Sequence, residues 1–521
     1  MPKLTVPAAG AAGVVKDVTQ DKLPLGAWTD ANNMRFLDGS AQQFFGYGQV
    51  YGAASAAPLH VLQLNIGQSV HWLYAGAQQV YDVTLVAGAP VHTNLTRRAN
   101  GADLPYNGAP NQWTSTTLSG VPILNNGVDT PQQWNLDPAS RMQQLDNWPS
   151  NTRCKSMRAY KNFLLALGVS RNGVELPFNV MWSSPADPGG VPTSWANNDP
   201  TSESGDYDLA EGGDYIVDGL QLRDSFMIYK QQSVWRMDLI GGPYVFTFRK
   251  VLGVSGALNR NCIVEIDGFH VVLTASDVVV HDGQSATSVL DKVARRTLFQ
   301  DMDTAYTDRA FVFKNPYFNE VYVCYVSIGG TAPDKAMVWN YVDKTVTYRS
   351  IPNLNHASFG AVENSLGDAW SSDSASWESD LTPWNGPDFT PGTARVLAAS
   401  ADSKLLLLDA SASADGQFAQ AYLERRGLGF GEDERMKRVV NVRPRIKGSP
   451  GETVIVRVGG HMTDPEADPE YDVAVEFVIG EDVVIDCIVE YRYIAIRFET
   501  GTATQWRLTS FDYDIQLGGK W

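Results

Sequence analysis

Trp72-Leu73-Tyr74-Ala75-Gly76-Ala77-Gln78-Gln79-Val80-Tyr81-Asp82 joins an apolar strand, through a small polar turn, to a second strand that ends in a ring and an acid. The arrangement recurs from Phe226 to Trp235 and from Val272 to Asp282. In each copy an apolar residue and a ring lie eight positions apart, as Leu73 and Tyr81 do. This spacing predicts two antiparallel strands joined by a tight turn.

Four looser copies follow the same plan, from Pro122 to Trp134, Phe163 to Trp182, Val321 to Trp339 and Val396 to Asp409. Their spacing suits propeller blades of about 40 to 50 residues that carry insertions. A lone hairpin cannot bury its apolar face, whereas radial packing leaves only short edges exposed. The sequence therefore predicts an all-β fold whose middle is a β-propeller of about six to seven blades with insertions. A set of unrelated sandwich domains is the alternative, because the copies share a pattern more than identical residues.

A more regular alternation begins after the glycine-rich stretch from Gly427 to Gly431. Its apolar positions are Val454, Val456 and Val458; Val473, Val475 and Phe477; Ile494, Ile496 and Phe498; and Phe511, Tyr513, Ile515 and Leu517. Strands that bury one face in this way pack as a sandwich. We therefore expect an N-terminal arm and platform segment at residues 1–50, the β-propeller domain with loop insertions at 51–425, and a C-terminal β-sandwich (platform) domain at 426–521. The clearest helical pattern runs from Thr287 to Gln300.

The chain is strongly acidic, with 58 Asp and Glu against 41 Lys and Arg and a formal charge of −17. Such a molecule repels nucleic acid unless a local patch reverses the sign. The imbalance is uneven: 199–224 contains eight acids and one base, 363–388 contains six acids and no base, and from these stretches we select Asp199, Glu203, Asp206, Asp208, Glu211, Asp214, Asp218, Glu363, Asp368, Asp373, Glu378 and Asp380. The opposite sign collects in a basic segment made of Arg425, Arg426, Arg435, Lys437, Arg438, Arg443, Arg445 and Lys447. This segment is either a docking surface for an acidic partner or a solvated strand face.

No motif in the chain supports catalysis or a cofactor. The four cysteines are isolated, which predicts reduced core residues and not a zinc or redox site. Ser255 is the nearest approach to a nucleophile elbow, but its second glycine comes one position early. The stretch from Ser372 to Trp377 lacks the glycine of the sialidase Asp-box and occurs once. The alternating acids from Asp464 to Asp472 could reach a calcium ion, although Pro465 and Pro469 favour a solvated loop. No stretch approaches 18 uninterrupted apolar residues, so no membrane span is expected.

One known family resembles this chain over nearly its whole length. The opening Leu23-Pro24-Leu25-Gly26-Ala27-Trp28-Thr29-Asp30-Ala31-Asn32-Asn33-Met34-Arg35-Phe36, with Asp38-Gly39 and Phe45-Gly46, resembles the start of tail nozzle proteins of short-tailed bacteriophages, also called packaged-DNA stabilisation or tail hub proteins. The junction from Tyr422 to Leu428 and the closing segment from Trp506 to Asp514 are similar to the same family.

The resemblance implies a structural virion protein without enzyme activity or cofactor, made in the host cytoplasm. It implies a ring of subunits, a homohexamer in the family, below the adaptor (head-to-tail connector) and around the channel through which double-stranded DNA leaves without sequence-specific binding. Retention of packaged DNA, gating of its ejection and anchoring of tail fibre, spike or needle proteins would follow.

If the chain belongs to this family, its charge pattern has a physical role in the passage of DNA. A basic wall would hold the phosphates of passing DNA, whereas an acidic wall avoids this. We therefore expect one of the two acidic stretches to face the channel and the basic segment to dock on the adaptor, and we take the stretch from Asn364 to Pro391 as the first candidate for a gate. A trimeric receptor-binding or glycan-binding tail protein is the alternative, followed by a monomeric sialidase-like glycosidase.

Overall fold

The computed structural model describes residues 3–67, 69–199, 201–242, 244–362, 394–411, 413–502 and 505–520. Its N-terminal strands are β1 (Lys3–Val6), β2 (Asp30–Asn32), β3 (Met34–Leu37), β4 (Ser40–Gln43) and β5 (Gly46–Gln49). Within these residues the helices are one α-helix, α1 (Arg295–Asp301), and three 3-10 helices at Gln20–Lys22, Thr304–Arg309 and Pro316–Phe318. The protein is therefore an all-β protein.

Seven four-stranded antiparallel sheets lie within the described residues, and we number them in chain order. Sheet 1 contains β6 (His60–Ile66), β7 (Ser69–Ala75), β8 (Val80–Val86) and β9 (Ala89–Asn94), and the small hairpin of β10 (Arg98–Ala99) and β11 (Ala102–Asp103) follows it. Sheet 2 contains β12 (Thr114–Leu118), β13 (Val121–Asn125), β14 (Gln132–Gln133) and β15 (Gln143–Gln144). Sheet 3 contains β16 (Thr152–Tyr160), β17 (Phe163–Arg171), β18 (Val174–Trp182) and β19 (Gly205–Asp208). Sheet 4 contains β20 (Ile216–Leu222), β21 (Ser225–Lys230), β22 (Val234–Leu239) and β23 (Phe246–Leu252).

The last three sheets have the same form. Sheet 5 contains β24 (Ile263–Ile266), β25 (Phe269–Leu273), β26 (Val278–His281) and β27 (Ala286–Ser288). Sheet 6 contains β28 (Phe311–Asn315), β29 (Glu320–Tyr325), β30 (Lys335–Asn340) and β31 (Val346–Ser350). Sheet 7 contains β32 (Leu354–Ala361), β33 (Ala394–Ser400), β34 (Leu405–Ser411) and, from the N-terminal region, β5.

The first strands of these sheets form the inner side of a ring. They contact one another in chain order from β12 to β32, and β32 of sheet 7 contacts β6 of sheet 1. His60 on β6 completes the circle, because its Nε2 lies 2.8 Å from Oγ of Ser115 on β12. The sheets therefore surround a common axis, as in a β-propeller.

The ring is closed by a strand from the other end of the chain. β5 pairs with β34, placing Tyr47 opposite Leu408 and Gln49 opposite Leu406. Strand pairing between chain ends joins the first and last parts of the propeller, so that sheet 7 has four strands like its neighbours.

All seven predicted hairpins are confirmed as the second and third strands of these sheets. In the first of them Tyr74 lies opposite Tyr81. Asp267 and Gly268 join β24 to β25 with φ of 47° and 78°, which suits a two-residue hairpin turn with two positive φ values. The helix predicted from Thr287 is wrong in its start: α1 begins at Arg295, because residues 286–288 pair with β26 as the fourth strand of sheet 5.

After sheet 7 the chain forms β35 (Tyr422–Leu428), β36 (Arg435–Gly448), β37 (Thr453–His461), β38 (Glu470–Val478), β39 (Ile485–Tyr491), β40 (Tyr493–Thr500) and β41 (Trp506–Lys520). These strands make two sheets together with N-terminal strands. Sheet A has the order β3-β4-β41-β36-β39 with β1 beside β41, and sheet B has the order β2-β35-β40-β37-β38. The predicted boundary at residue 426 falls inside β35.

Sheets A and B bury a common apolar core. The rings of Phe498 on β40 and Phe511 on β41 are 5.4 Å apart, and Trp28 contacts both at 6.1 and 5.9 Å. The same core continues into sheets 5 and 6 through residues such as Val271 and Val321. The two sheets are therefore fixed to one side of the propeller by continuous packing.

Candidate functional site

The acidic stretch at 199–224 is divided between surface and interior. Asp199, Glu203, Asp208 and Glu211 are exposed. Asp206 is half-buried and pairs with Arg171 at 2.9 Å. Asp214 is buried and accepts from Lys230 at 2.9 Å and from Ser233 at 2.9 Å. These internal partners remove part of the free negative charge that the composition of this stretch suggests.

Asp218 on β20 is fully buried at the inner side of the ring. Its carboxylate accepts from Oγ of Ser156 at 2.5 Å and from the guanidinium of Arg158 at 2.9 and 2.6 Å. The backbone N–H of Asn261 donates to it at 3.1 Å. Burial alone would raise the pKa of Asp218, but Arg158 and these hydrogen bonds together hold it below its usual range. Asp218 is therefore unavailable as a surface charge, and no local pattern could indicate this, because its partner Arg158 lies 60 residues away in the sequence.

The second acidic set, Glu363, Asp368, Asp373, Glu378 and Asp380, lies outside the described residues, as does the gate candidate at 364–391.

Several members of the basic segment are structural. Arg425 is buried and donates to the carbonyl oxygens of Gln20 and Leu23 at 2.9 and 3.2 Å, and burial lowers its pKa to about 10. Lys437 is also buried and donates to the carbonyl oxygen of Arg492 at 2.7 Å. Neither side chain can present its charge to a partner.

The remaining basic residues are partly or fully at the surface. Arg426 pairs with Glu424 and Asp468, Arg443 with Asp514, and Arg445 with Asp512. Arg435 is half-buried, whereas Arg438 and Lys447 are exposed. The predicted docking surface thus reduces to these outer groups, several of which are already neutralised within the chain.

A larger free acidic surface lies elsewhere, on β38, β39 and the segments beside them. Residues 464–490 contain no Lys or Arg, and their ten acids are all exposed: Asp464, Glu466, Asp468, Glu470, Asp472, Glu476, Glu481, Asp482, Asp486 and Glu490. β38 is an edge of sheet B, β39 is an edge of sheet A, and the two strands contact each other. We call this surface the acidic edge. The sequence signal for this surface is the absence of Lys and Arg together with the alternation of acidic residues. The two acidic stretches at 199–224 and 363–388 were chosen instead for their density of acids.

Polar side chains cross the centre of the ring. Arg158 of sheet 3 also donates to the carbonyl oxygen of Ser115 in sheet 2 at 3.2 Å and to Oδ1 of Asn261, before sheet 5, at 3.1 Å. Asn111, which precedes sheet 2, donates to the carbonyl oxygen of Ala310, before sheet 6, at 2.9 Å. Contacts between sheets on opposite sides of the ring require that the space between them is filled.

Two imidazoles complete this filling. The rings of His60 of sheet 1 and His356 of sheet 7 are in contact, with centroids 3.9 Å apart and planes tilted by 37°. Burial lowers the pKa of both, that of His356 to about 3, with a further contribution from the nearby Arg158. Both rings are therefore neutral at physiological pH, which lets them pack together beside a guanidinium. The propeller axis is a packed polar core and not a pore.

A second buried histidine pair lies between sheets 4 and 5. The hydroxyl of Tyr229 is 2.6 Å from Nδ1 of His270 and 2.6 Å from Nε2 of His281. Nδ1 of His281 accepts from the N–H of Gly283, so its Nε2 carries the proton that is donated to Tyr229. Nε2 of His270 faces the carbonyl oxygen of Gln221 at 2.9 Å and must donate, so its Nδ1 accepts from Tyr229. Each polar atom of the side chains of Tyr229, His270 and His281 therefore has a hydrogen-bond partner, which indicates a structural arrangement.

A buried ion cluster joins the N-terminal segment to the propeller. Arg35 on β3 donates to both carboxylate oxygens of Glu320 at 2.8 and 2.9 Å and to Asp409 at 3.1 Å. Asp409 also accepts from Arg349 at 3.1 Å. Burial opposes the charge of Arg35, but Asp409 and Glu320 raise its pKa above its usual value. The cluster fixes sheet A against sheets 6 and 7, since separating these charges would leave them buried and unpaired.

The described residues hold no group of three or more His, Cys, Asp or Glu side chains placed to bind a metal. The four cysteines are buried and free, as predicted. Among the same residues, no helix has both the length and the apolarity needed to cross a membrane.

Two of the clefts that the described residues form are large enough to admit a ligand. One, of about 550 Å³, lies on sheet 3 beside Trp195 and Arg171. The other, of about 480 Å³, lies between the N-terminal segment and sheet 7, beside Phe44, Arg349 and Lys404. Neither contains a nucleophile paired with a base.

Comparison with known proteins adds a likeness of fold. The chain matches no family model and no curated protein. It is similar to the WD40 β-propeller domain of Doa1 at 8% identity and a TM-score of 0.38, over 70% of this chain and 97% of that chain. It is similar to a catalytically inactive virginiamycin B lyase from Staphylococcus aureus with quinupristin at 10% identity and a TM-score of 0.39, over 70% and 97%. It is also similar to the WD40 domain of Pan2 from Neurospora crassa at 9% identity and a TM-score of 0.36, over 70% and 94%.

Proposed function

We propose that this chain is a structural protein of the virion of a short-tailed bacteriophage, the subunit of a tail nozzle ring below the adaptor. In this proposal the ring forms the distal DNA channel, retains packaged DNA, gates its ejection and anchors fibre, spike or needle proteins. The observation that carries the proposal is the position of the resembling segments in sheets A and B, which are packed on one side of the propeller. The segments that resemble the nozzle family, at 23–36, 422–428 and 506–514, contain β2, most of β3, β35 and much of β41, which belong to the two sheets fixed on the propeller.

The finer architecture belongs to the same proposal. We infer that the seven four-stranded sheets are the seven blades of a closed propeller and that sheets A and B form a β-sandwich platform. The buried cluster of Arg35, Glu320, Asp409 and Arg349 supports a rigid union of the two parts. A rigid subunit suits a pipe segment that must keep its bore while DNA passes.

Within such a ring, we assign the channel-facing role to the acidic edge. A wall of carboxylates repels the phosphates of DNA, whereas Lys and Arg would neutralise them, release their counterions and hold the duplex. The Debye length of about 8 Å in physiological salt limits the effect to charges at the wall. The acidic edge meets this condition better than 199–224, because its ten acids are all exposed and, among the described residues, only Asp468 of the ten has an ion pair.

The proposal is tested by the mass of the assembly. Native mass spectrometry of the purified chain, with and without its adaptor ring, should give six copies in the presence of the adaptor. Adding the adaptor separates a templated ring from a chain that never assembles. A trimer would favour the receptor-binding alternative, and a monomer that cleaves polysaccharide would favour the glycosidase; either result would end the nozzle proposal.

A further inference from the structure

The cleft on sheet 3 is built from three separate parts of the chain. The connection from sheet 2 contributes Asn147 and Ser150, the turn after β17 contributes Arg171 and Asn172, and the long loop between β18 and β19 contributes residues 193–197. Its volume of about 550 Å³ lies in the range of ligand pockets.

Several polar groups that line the cleft are fixed by hydrogen bonds to residues outside the lining. Nδ2 of Asn147 donates to the carbonyl oxygen of Pro192 at 3.1 Å, and Nδ2 of Asn197 donates to Asp206 at 2.9 Å. Each amide therefore keeps an oxygen acceptor whose direction is fixed. The N–H groups of Thr193 and Ser194 donate to Oγ of Ser184, both at 3.1 Å, which holds the loop in place. Binding would cost little ordering of these groups.

The floor of the cleft is apolar and rigid. Trp195 packs edge-to-face on Trp148 with ring centroids 4.8 Å apart, and Met181 lies beside it. Trp195 is only 5% exposed, and its indole N–H has no acceptor among the described residues. The same burial closes this N–H to a ligand in the cleft, so Trp195 contributes only apolar surface to the floor.

The charge of the lining decides the class of ligand. Arg171 is its charged side chain, and Asp206 neutralises it at 2.9 Å. The other polar ends are amides and hydroxyls: Asn147, Asn172, Asn197, Ser150, Thr152, Thr193 and Ser194. An anionic ligand would find no net positive charge here, whereas the vicinal hydroxyls of a sugar match amide and hydroxyl groups in both donor and acceptor capacity.

We propose that this cleft binds a neutral oligosaccharide segment, of the kind exposed on a cell surface. The sugar hydroxyls donate hydrogen bonds to the amide oxygens of Asn147 and Asn197, and an apolar face of the sugar packs toward Trp195. The inference goes beyond the proposed ring, since binding takes place on one propeller and does not require assembly.

The test uses the full chain on an array of neutral and anionic bacterial surface polysaccharides, followed by calorimetric titration of the strongest binder. The double variant Asn147→Ala with Asn197→Ala should weaken binding by about tenfold or more, the effect of losing two hydrogen bonds. Asn198→Ala is the matched control, because Asn198 is exposed beside Asn197 but does not line the cleft, and it should bind as the parent does.

Three results would overturn the inference: no neutral glycan bound, equal affinity in the double variant and the parent, or preference for an anionic polysaccharide that falls steeply with salt. None of them bears on the mass of the assembly, so failure here and failure of the nozzle proposal are distinguishable.

Discussion

Removal of one hydroxyl group should open the boundary between sheets 4 and 5. In Tyr229→Phe, the donor Nε2–H of His281 and the acceptor Nδ1 of His270 both lose their partner at 2.6 Å. All three side chains are at most 1% exposed, so water cannot replace the hydroxyl without a cavity. Each buried unpaired group costs about 1–3 kcal/mol, and the two together about 2–6 kcal/mol.

Hydrogen exchange is the appropriate assay, because a chain of this size is not expected to unfold in a single step. The amides of β21, β25 and β26 report the local opening free energy directly. We expect it to fall by about 2–6 kcal/mol in Tyr229→Phe, while the strands of sheet 1 keep their parental protection.

Tyr513→Phe is the matched control. Tyr513 is equally buried, but its hydroxyl has no hydrogen-bond partner among the described residues. Removing this hydroxyl should leave the local opening free energy unchanged or slightly higher. If Tyr229→Phe changed the exchange of β25 by less than about 0.5 kcal/mol, or if Tyr513→Phe cost as much, the assignment of the hydrogen-bonded chain would be refuted.

Three further predictions follow from named groups. Burial lowers the pKa of His270 and His281 to about 4 from an ordinary 6.5, so their contribution to stability is complete above pH 6.5 and is lost as the pH falls toward 4; exchange in sheet 5, corrected for its intrinsic rate, should speed up in that window, and a flat profile would contradict the reasoning. Asp218→Asn leaves the Arg158 charge without its partner and should lower the local opening free energy of β16 and β20 by about 3–5 kcal/mol in hydrogen exchange, with the exposed Asp208→Asn as an unchanged control. Changing Glu470, Asp472 and Glu476 to Lys makes the acidic edge more positive by six charges per chain and should create salt-sensitive binding of double-stranded DNA, with a slope of log K against log salt near −0.9 per phosphate contacted; absence of any gain in DNA retention would count against a channel-facing acidic edge.

The local pattern of the chain was sufficient to identify the strands. Leu73 and Tyr81 fall in strands whose partners are a few residues away, so the alternation of apolar residues and the small turns between them contain the information for pairing. The same applies to the stretch from Val454 to Ile515, where alternation predicted most of the buried positions of sheets A and B, although Val473 and Val475 are only partly buried; Leu517, expected on the same face, is 44% exposed. The helix expected from Thr287 starts later than predicted, because residues 286–288 pair with β26 as a fourth strand instead of following the helical pattern.

The role of the charged residues depended on the tertiary structure. Composition placed Asp218 in a surface loop and Arg425 on a docking face, but Asp218 is paired with Arg158, 60 residues away, and Arg425 with Gln20, 405 residues away. The ion pair of Arg35 and Asp409 spans 374 residues. Local periodicity contains no information on such partners, because they lie on strands and segments that are far apart in the sequence. The sequence by itself thus determined the hairpins and their buried faces. The tertiary structure decided which charges are internal and left the acidic edge as a free negative surface. The reason is that the pairing of a hairpin's strands depends on residues close in the sequence, whereas the burial of a charge depends on the whole fold.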